Sequence, residues 1–145
     1  MIVDEIFEDI IYPNLKTYLQ EHSIYSPFVT KKMPQNSKDF PIVPMRLLPF
    51  KNLYNNLSYG EETYPFSISI EVYAIDTEDA SKRTICNEIT KWIEKFFKDN
   101  YHITVRIELD APNVDSNVHR NIIKVLGTLD TKYGMDKLVI IPRWV

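Results

Sequence analysis

Near the N-terminus apolar residues recur at helical spacing: Ile2, Val3, Ile6 and Ile10, then, beyond Pro13, Leu15, Tyr18 and Leu19. This stripe predicts a helix over residues 3–20. Pro13 has no N–H to offer the preceding turn, so the helix is expected to kink or to divide there. Residues 21–39, with Pro27, Pro34 and Ser/Asn/Lys-rich sequence, show no alternation and read as loop. From 40 to 48, β-branched and aromatic residues are interrupted by Pro41 and Pro44, so a strand here is expected at a sheet edge. Residues 50–65 fit neither period.

The clearest strand signal follows. Phe66, Ile68, Ile70, Val72 and Ala74 alternate with Ser67, Ser69, Glu71 and Tyr73, which predicts a half-buried strand. Asp76 or Thr77 is expected to cap the next helix, with Glu78 and Asp79 near the positive end of its dipole. Its buried stripe is Ile85, Ile89, Trp92, Ile93 and Phe96, and it should end near 98–100 with Asn100 as a left-handed cap. A second alternating strand over 102–109 turns Ile103, Val105, Ile107 and Leu109 inward. A long strand over 118–129, bulged around Gly127, and a last strand over 138–141 complete the order. The fold expected is α+β: a mostly antiparallel four- to five-stranded sheet with two helices packed on one face, one domain spanning 1–145.

Composition limits the functional classes. The 145 residues are 44% hydrophobic and 26% charged, as in an ordinary globular domain. The longest apolar stretches fall short of the roughly 20 residues that span a bilayer, and the start at Met1 lacks a basic leader, so no membrane partner is expected. A net charge of −3 argues against a dedicated nucleic-acid binder, which needs excess Lys and Arg to neutralise phosphate. Charge is uneven, however. Lys31, Lys32, Lys38, Arg46 and Lys51 face only Asp39, whereas residues 1–30 carry Asp4, Glu5, Glu8, Asp9 and Glu21 against Lys16. Such asymmetry is that of a solvated basic loop, or it can orient one subunit against another.

Candidate chemistry is sparse. With 3 glycines the chain has no phosphate loop, and it has no serine-elbow pentapeptide. His22, His102 and His119 fall on different predicted elements and are expected at the surface rather than on a metal. Cys86 follows Ile85 on a buried helix face, which suits core packing better than a nucleophile. Glu71, Glu108 and Asp110 are the one carboxylate set that a small metal-dependent nuclease could use, but neither glutamate is followed two residues later by lysine. No enzyme and no cofactor are expected.

Residues 50–65 draw more notice than any of these. Leu53, Tyr54, Leu57, Tyr59 and Tyr64 lie among asparagines in a stretch without a secondary-structure period. Apolar and tyrosine side chains in such a stretch are explained either by a loop that folds back over its own domain or by a partner that covers them, and the second reading makes residues 50–65 an assembly loop.

The succession from Phe40-Pro-Ile-Val, through the long loop, to Ser67-Ile-Ser-Ile-Glu-Val-Tyr-Ala is followed by the helix, Pro112-Asn113, Val118-His-Arg120, Gly127-Thr-Leu-Asp130 and Ile-Ile-Pro-Arg143. This succession resembles the tail-terminator and neck-protein family of long-tailed bacteriophages, over residues 40–143. It departs at Lys124-Val125, where relatives often carry an arginine and an aromatic residue. The resemblance implies a subunit that closes into a ring, typically hexameric, at the head-proximal end of the tail tube. There it would end tail polymerisation and meet both the tail-tube protein and the head connector. DNA would pass through the lumen without sequence-specific contact, and the protein would reside in the virion after assembly in the bacterial host cytoplasm. A connector-side head-completion role is the neighbouring alternative. Ring closure needs two different complementary patches on one subunit. Expected interface residues are Phe40, Ile42, Leu53, Tyr54, Leu57, Tyr59, Tyr64, Arg120 and Trp144.

Overall fold

A computed structural model describes residues 7–32, 40–48, 63–101, 103–113 and 115–130, with 63–66 and 128–130 described as backbone alone. The first helical stripe is divided at Pro13, as its chemistry requires. A π-helical turn, Phe7–Ile11, leads without a break into α1, Tyr12–His22, with the proline in the first turn of α1, so the change of helical form falls where the missing N–H does. Phe7, Ile11, Leu15 and Leu19 are buried.

The sheet contains β1 (Phe28–Thr30), β2 (Ile42–Leu47), β3 (Thr63–Ala74), β4 (Thr104–Glu108) and β5 (His119–Asp130) in the order β1-β2-β3-β5-β4. All neighbours are antiparallel except β1 and β2. The second helix, α2 (Lys82–Asn100), carries the chain from β3 across the sheet to β4, leaving between them the slot that β5 fills. The fold is therefore α+β, with a mostly antiparallel sheet and two helices.

The face of β3 formed by Ile68, Ile70, Val72 and Ala74 is fully buried. It packs under Ile85, Ile89, Ile93 and Phe97 of α2, and the cluster continues through Val43 and Met45 to Leu15 and Leu19 of α1. Trp92 is only half-buried. Its ring stacks on His22 at 5.2 Å and meets Tyr18 edge-on at 6.2 Å, joining the two helices at their outer seam.

Several expectations are corrected. Residues 21–39 include a strand, β1, which pairs with β2 in parallel at Phe28↔Ile42, Val29↔Val43 and Thr30↔Pro44. Consequently β2 is not an edge strand. Its pairing with β3 joins Ile42 to Tyr73 and Met45 to Ile70 but lapses at Val43 and Pro44, which is how an interior strand accommodates the missing N–H. The helix cap is Ser81, whose hydroxyl accepts the Thr84 N–H at 3.2 Å, because residues 75–80 form a turn closed by Thr77 and Ala80. Asn100 stays helical and donates its amide to the Phe96 carbonyl, while extended Tyr101 ends the helix.

β5 runs past Gly127 in an unbroken register with β3 and does not bulge. That register places Thr63, Tyr64 and Pro65 in β3 rather than in the preceding loop. Leu109 is 57% exposed because β4 ends at Glu108 and the chain turns away through Asp110. The strand expected over 138–141 lies outside the described residues.

Polar residues also enter the core. Asn121 on β5 is fully buried and accepts the Asp110 backbone N–H at 3.0 Å through Oδ1. A backbone N–H can only donate, so the amide orientation is fixed, and Nδ2 donates to Asn87 Oδ1 at 3.1 Å and Thr90 Oγ1 at 2.9 Å. His119 Nε2, 3.1 Å from the same Oδ1, must then carry a proton. Replacing Asn121 by alanine leaves these groups without a partner and is expected to cost about 1–3 kcal/mol, read as a lower urea midpoint at unchanged slope.

Candidate functional site

With both helices on one side of the sheet, the opposite face carries no helix among the described residues. Directly paired residues on adjacent strands project to the same side, so the registers order this face into rows. Phe28, Ile42, Tyr73 and Arg120 form one row across β1, β2, β3 and β5. The next holds Glu71, Ile122 and Glu108; the one after that holds Arg46, Ser69, Lys124 and Arg106.

Ile42 is fully buried on this face and lies outside the helix-side core, while its neighbour Phe28 stays 45% exposed. Arg120 is anchored from two directions. One guanidinium nitrogen donates to Glu71 Oε1, and another donates to the Pro112 carbonyl at 3.0 Å. Its Nε is buried without a hydrogen-bond partner among the described residues. The Tyr73 hydroxyl donates to the second Glu71 oxygen at 2.7 Å, and the guanidinium carbon lies 5.8 Å from the Tyr73 ring centroid. Bonding to Glu71 raises Arg120 above its ordinary value. Burial, then donation to Glu71, pushes the Tyr73 phenol up to about 12.

Of the residues expected at an interface, the structure brings Ile42 and Arg120 into one row, with half-buried Phe40 two residues before Ile42. Tyr64 is in β3 by its backbone. Leu53, Tyr54, Leu57, Tyr59 and Trp144 lie outside the described residues. Sequence reasoning missed Tyr73 and Glu71 as partners of Arg120. Their side-chain parity was readable, but the β3–β5 register that joins them was not.

The carboxylate set does not converge. Glu71 and Glu108 share a row with Ile122 between them, whereas Asp110 meets Arg83 of α2 at 3.5 Å and His119 Nδ1 at 3.4 Å on the helix side. Both Glu71 oxygens are engaged. Among the described residues no group of three or more His, Cys, Asp or Glu is gathered for a metal ion. His119 is buried rather than at the surface. Cys86 is fully buried, its thiol pointing to the Val72 and His119 carbonyls at 3.5 Å, and burial pushes it up to about 12.

Comparison with known protein families and with curated proteins finds no match to this chain. What the open face presents chemically is a rigid ion pair beside exposed Phe28, and a cationic row two residues beyond Glu71 along the strands. Among the described residues no helix is long and apolar enough to cross a membrane.

Because the folded phenol of Tyr73 titrates near 12 and an unfolded tyrosine near 10, the folded state holds the extra proton between these values. This contribution is complete below pH 10 and is lost as pH rises toward 12. Tyr73→Phe is expected to flatten the fall in stability over that window relative to the parent, measured by urea unfolding at pH 9, 10 and 11.

Proposed function

We propose that this chain is a ring-forming structural subunit, acting through assembly rather than catalysis. More specifically, it is a tail terminator of a long-tailed bacteriophage, sitting at the head-proximal end of the tail tube, ending tail polymerisation and joining the tail to the head.

The observation that carries this reading is the one-sidedness of the fold. A subunit in a closed ring presents two dissimilar patches to its neighbours. Here the sheet face that carries no helix among the described residues bears Phe28 and Arg120, while the other side is a helix layer with Lys95–Asp99 and Glu94–Lys98 pairs on its exposed surface. The order of segments from Phe40 to Arg143 supports the same family. In this reading the ring is a hexamer in the virion, assembled in the bacterial host cytoplasm. Its partners are the tail-tube protein and the head connector, and DNA crosses the lumen of a subunit of net charge −3 without sequence-specific grip. It needs no cofactor.

Electron microscopy of the purified protein mixed with tail tubes or virions tests the proposal. A ring of this subunit on the head-proximal end of the tube is expected. A ring on the head connector alone would assign the connector-side role instead, and absence from the particle would sink both. Tyr59→Asp and Tyr64→Asp are expected to remain folded by circular dichroism and to fail to cap tails. Normal virions from both variants would remove the assembly role from residues 50–65.

A further inference from the structure

The row Arg46, Ser69, Lys124 and Arg106 is chemically unbalanced. Lys124 and Arg106 are direct cross-strand partners, an arrangement of like charges that destabilises a sheet. All three cations are exposed, and none has an ion-pair partner among the described residues. Between Arg46 and Lys124 stands Ser69, 94% buried by its 6% exposure, whose hydroxyl has no hydrogen-bond partner among the described residues. It opens into a pocket of about 390 Å³ that Lys31, Lys32, Arg46 and Glu71 also line. Lys31 is committed to Glu8 and Glu71 to Arg120, which leaves Lys32 and Arg46 around an idle hydroxyl, with Lys124 beside Ser69 in the same row but outside the lining of the hollow.

Hydroxyl and cations converging on one hollow suit an oxyanion. A nucleic-acid backbone fits poorly, because the adjacent row carries Glu71 and Glu108 about 7 Å away along the strands. A continuous line of phosphates crossing the face would meet both. A short acidic segment seated at Arg46 and Ser69 meets only Glu71, whose two oxygens are already taken by Arg120 and Tyr73, and the chain itself displays such a segment. Residues 75–79 are all exposed, and Glu78 and Asp79 have no ion-pair partner among the described residues. The turn is firmly held, with Asp76 Oδ1 accepting the Lys82 N–H at 2.8 Å and the Thr77 N–H bonding the Ala80 carbonyl at 2.9 Å. It leads from β3 to α2 on the helix side, so it does not reach the open face of its own chain.

We infer that the hollow at Lys32, Arg46 and Ser69, with Lys124 beside it in the row, receives the acidic turn, Glu78 and Asp79, of a second copy of this chain. The contact is head-to-tail, and it deepens the ring reading above, on which it rests for its closure. The Ser69 hydroxyl donates to one carboxylate, and Lys124 and Arg46 flank it.

Zero-length carboxyl-to-amine cross-linking of a mixture of 15N-labelled and unlabelled full-length protein tests the contact. Mixed-isotope links from Glu78 or Asp79 to Lys32 or Lys124 are expected, fading as salt is raised. In sedimentation velocity, Lys124→Glu and the pair Glu78→Lys with Asp79→Lys should each weaken self-association by more than about tenfold, and mixing the two variants should restore it. These side chains are exposed, so the variants fold. Links joining other surfaces, no mixed-isotope link at all, or unaltered self-association in the charge variants would overturn the inference. So would loss of binding to a short DNA duplex in Lys124→Glu with the cross-links unchanged. A ring on tails whose subunits cross-link elsewhere would refute this contact and keep the terminator reading; the contact without any ring on the particle would do the reverse.

Discussion

Because β3 and β5 pair over all 12 of their residues in one antiparallel register, the other elements are placed relative to a fixed two-strand frame. The frame dictates where α2 must lie. Ile68, Ile70, Val72 and Ala74 on β3, with Ile123 and Val125 on β5, make one apolar surface that has to be covered, and α2 covers it with Ile85, Ile89, Ile93 and Phe97. Burial alone would permit α2 to slide along that surface. The fully buried Asn121, bonded at once to Asn87 and Thr90 of α2 and to the Asp110 N–H, permits only one position. Directional bonds thus set the register between layers that hydrophobic burial holds together.

The same frame creates the open face. Once both helices lie on one side, residues of opposite parity on β3 and β5 are left without a covering layer among the described residues, and their charges must be balanced by neighbours or by a partner. Glu71 and Arg120 manage this internally: both are about three-quarters buried, and Tyr73 and the Pro112 carbonyl take further hydrogen bonds. Removing either partner would leave a partly desolvated charge uncompensated, so this pair acts as a fixed post rather than as an adaptable contact. Two residues along the strands, Arg46, Lys124 and Arg106 have no such balance. The acidic turn inferred above would balance the cations that their own row leaves unbalanced.

Much of this was legible from the sequence where period and length were strong. The alternation of β3 and the stripe of α2 are visible in the residues because each has one buried face, and the structure keeps both. Legibility failed where the deciding fact was a neighbour. β1, with 3 residues, is too short to show a period, and without it β2 looked like an edge. Leu109 looked inward by parity because the end of β4 is set by the turn at Asp110, whose backbone takes a positive φ of 56°. His119 and Asn121 sit on the inward parity of β5 and could have been flagged as buried polar residues, but their partners on α2 needed the packing. On the open face, Ile42 and Arg120 were named through family resemblance, yet that they share a row with Tyr73 follows only from two registers taken together.

The geometry of the proposed ring follows from how little the two complementary patches can move. The cationic row is part of the β2–β3–β5–β4 ladders. The acidic turn is tied at both ends: β3 runs into it, and Ser81 and Asp76 bind the first N–H groups of α2 as it leaves. No flexible linker separates turn and row, so the rotation between successive subunits is built into the subunit itself. A head-to-tail contact with a fixed rotation either closes after a set number of copies or continues as an open helix. Rigidity at both patches fixes that rotation, so the proposed ring, where its rotation closes, closes at one number, and the hydrogen bonds that hold the acidic turn serve that constancy.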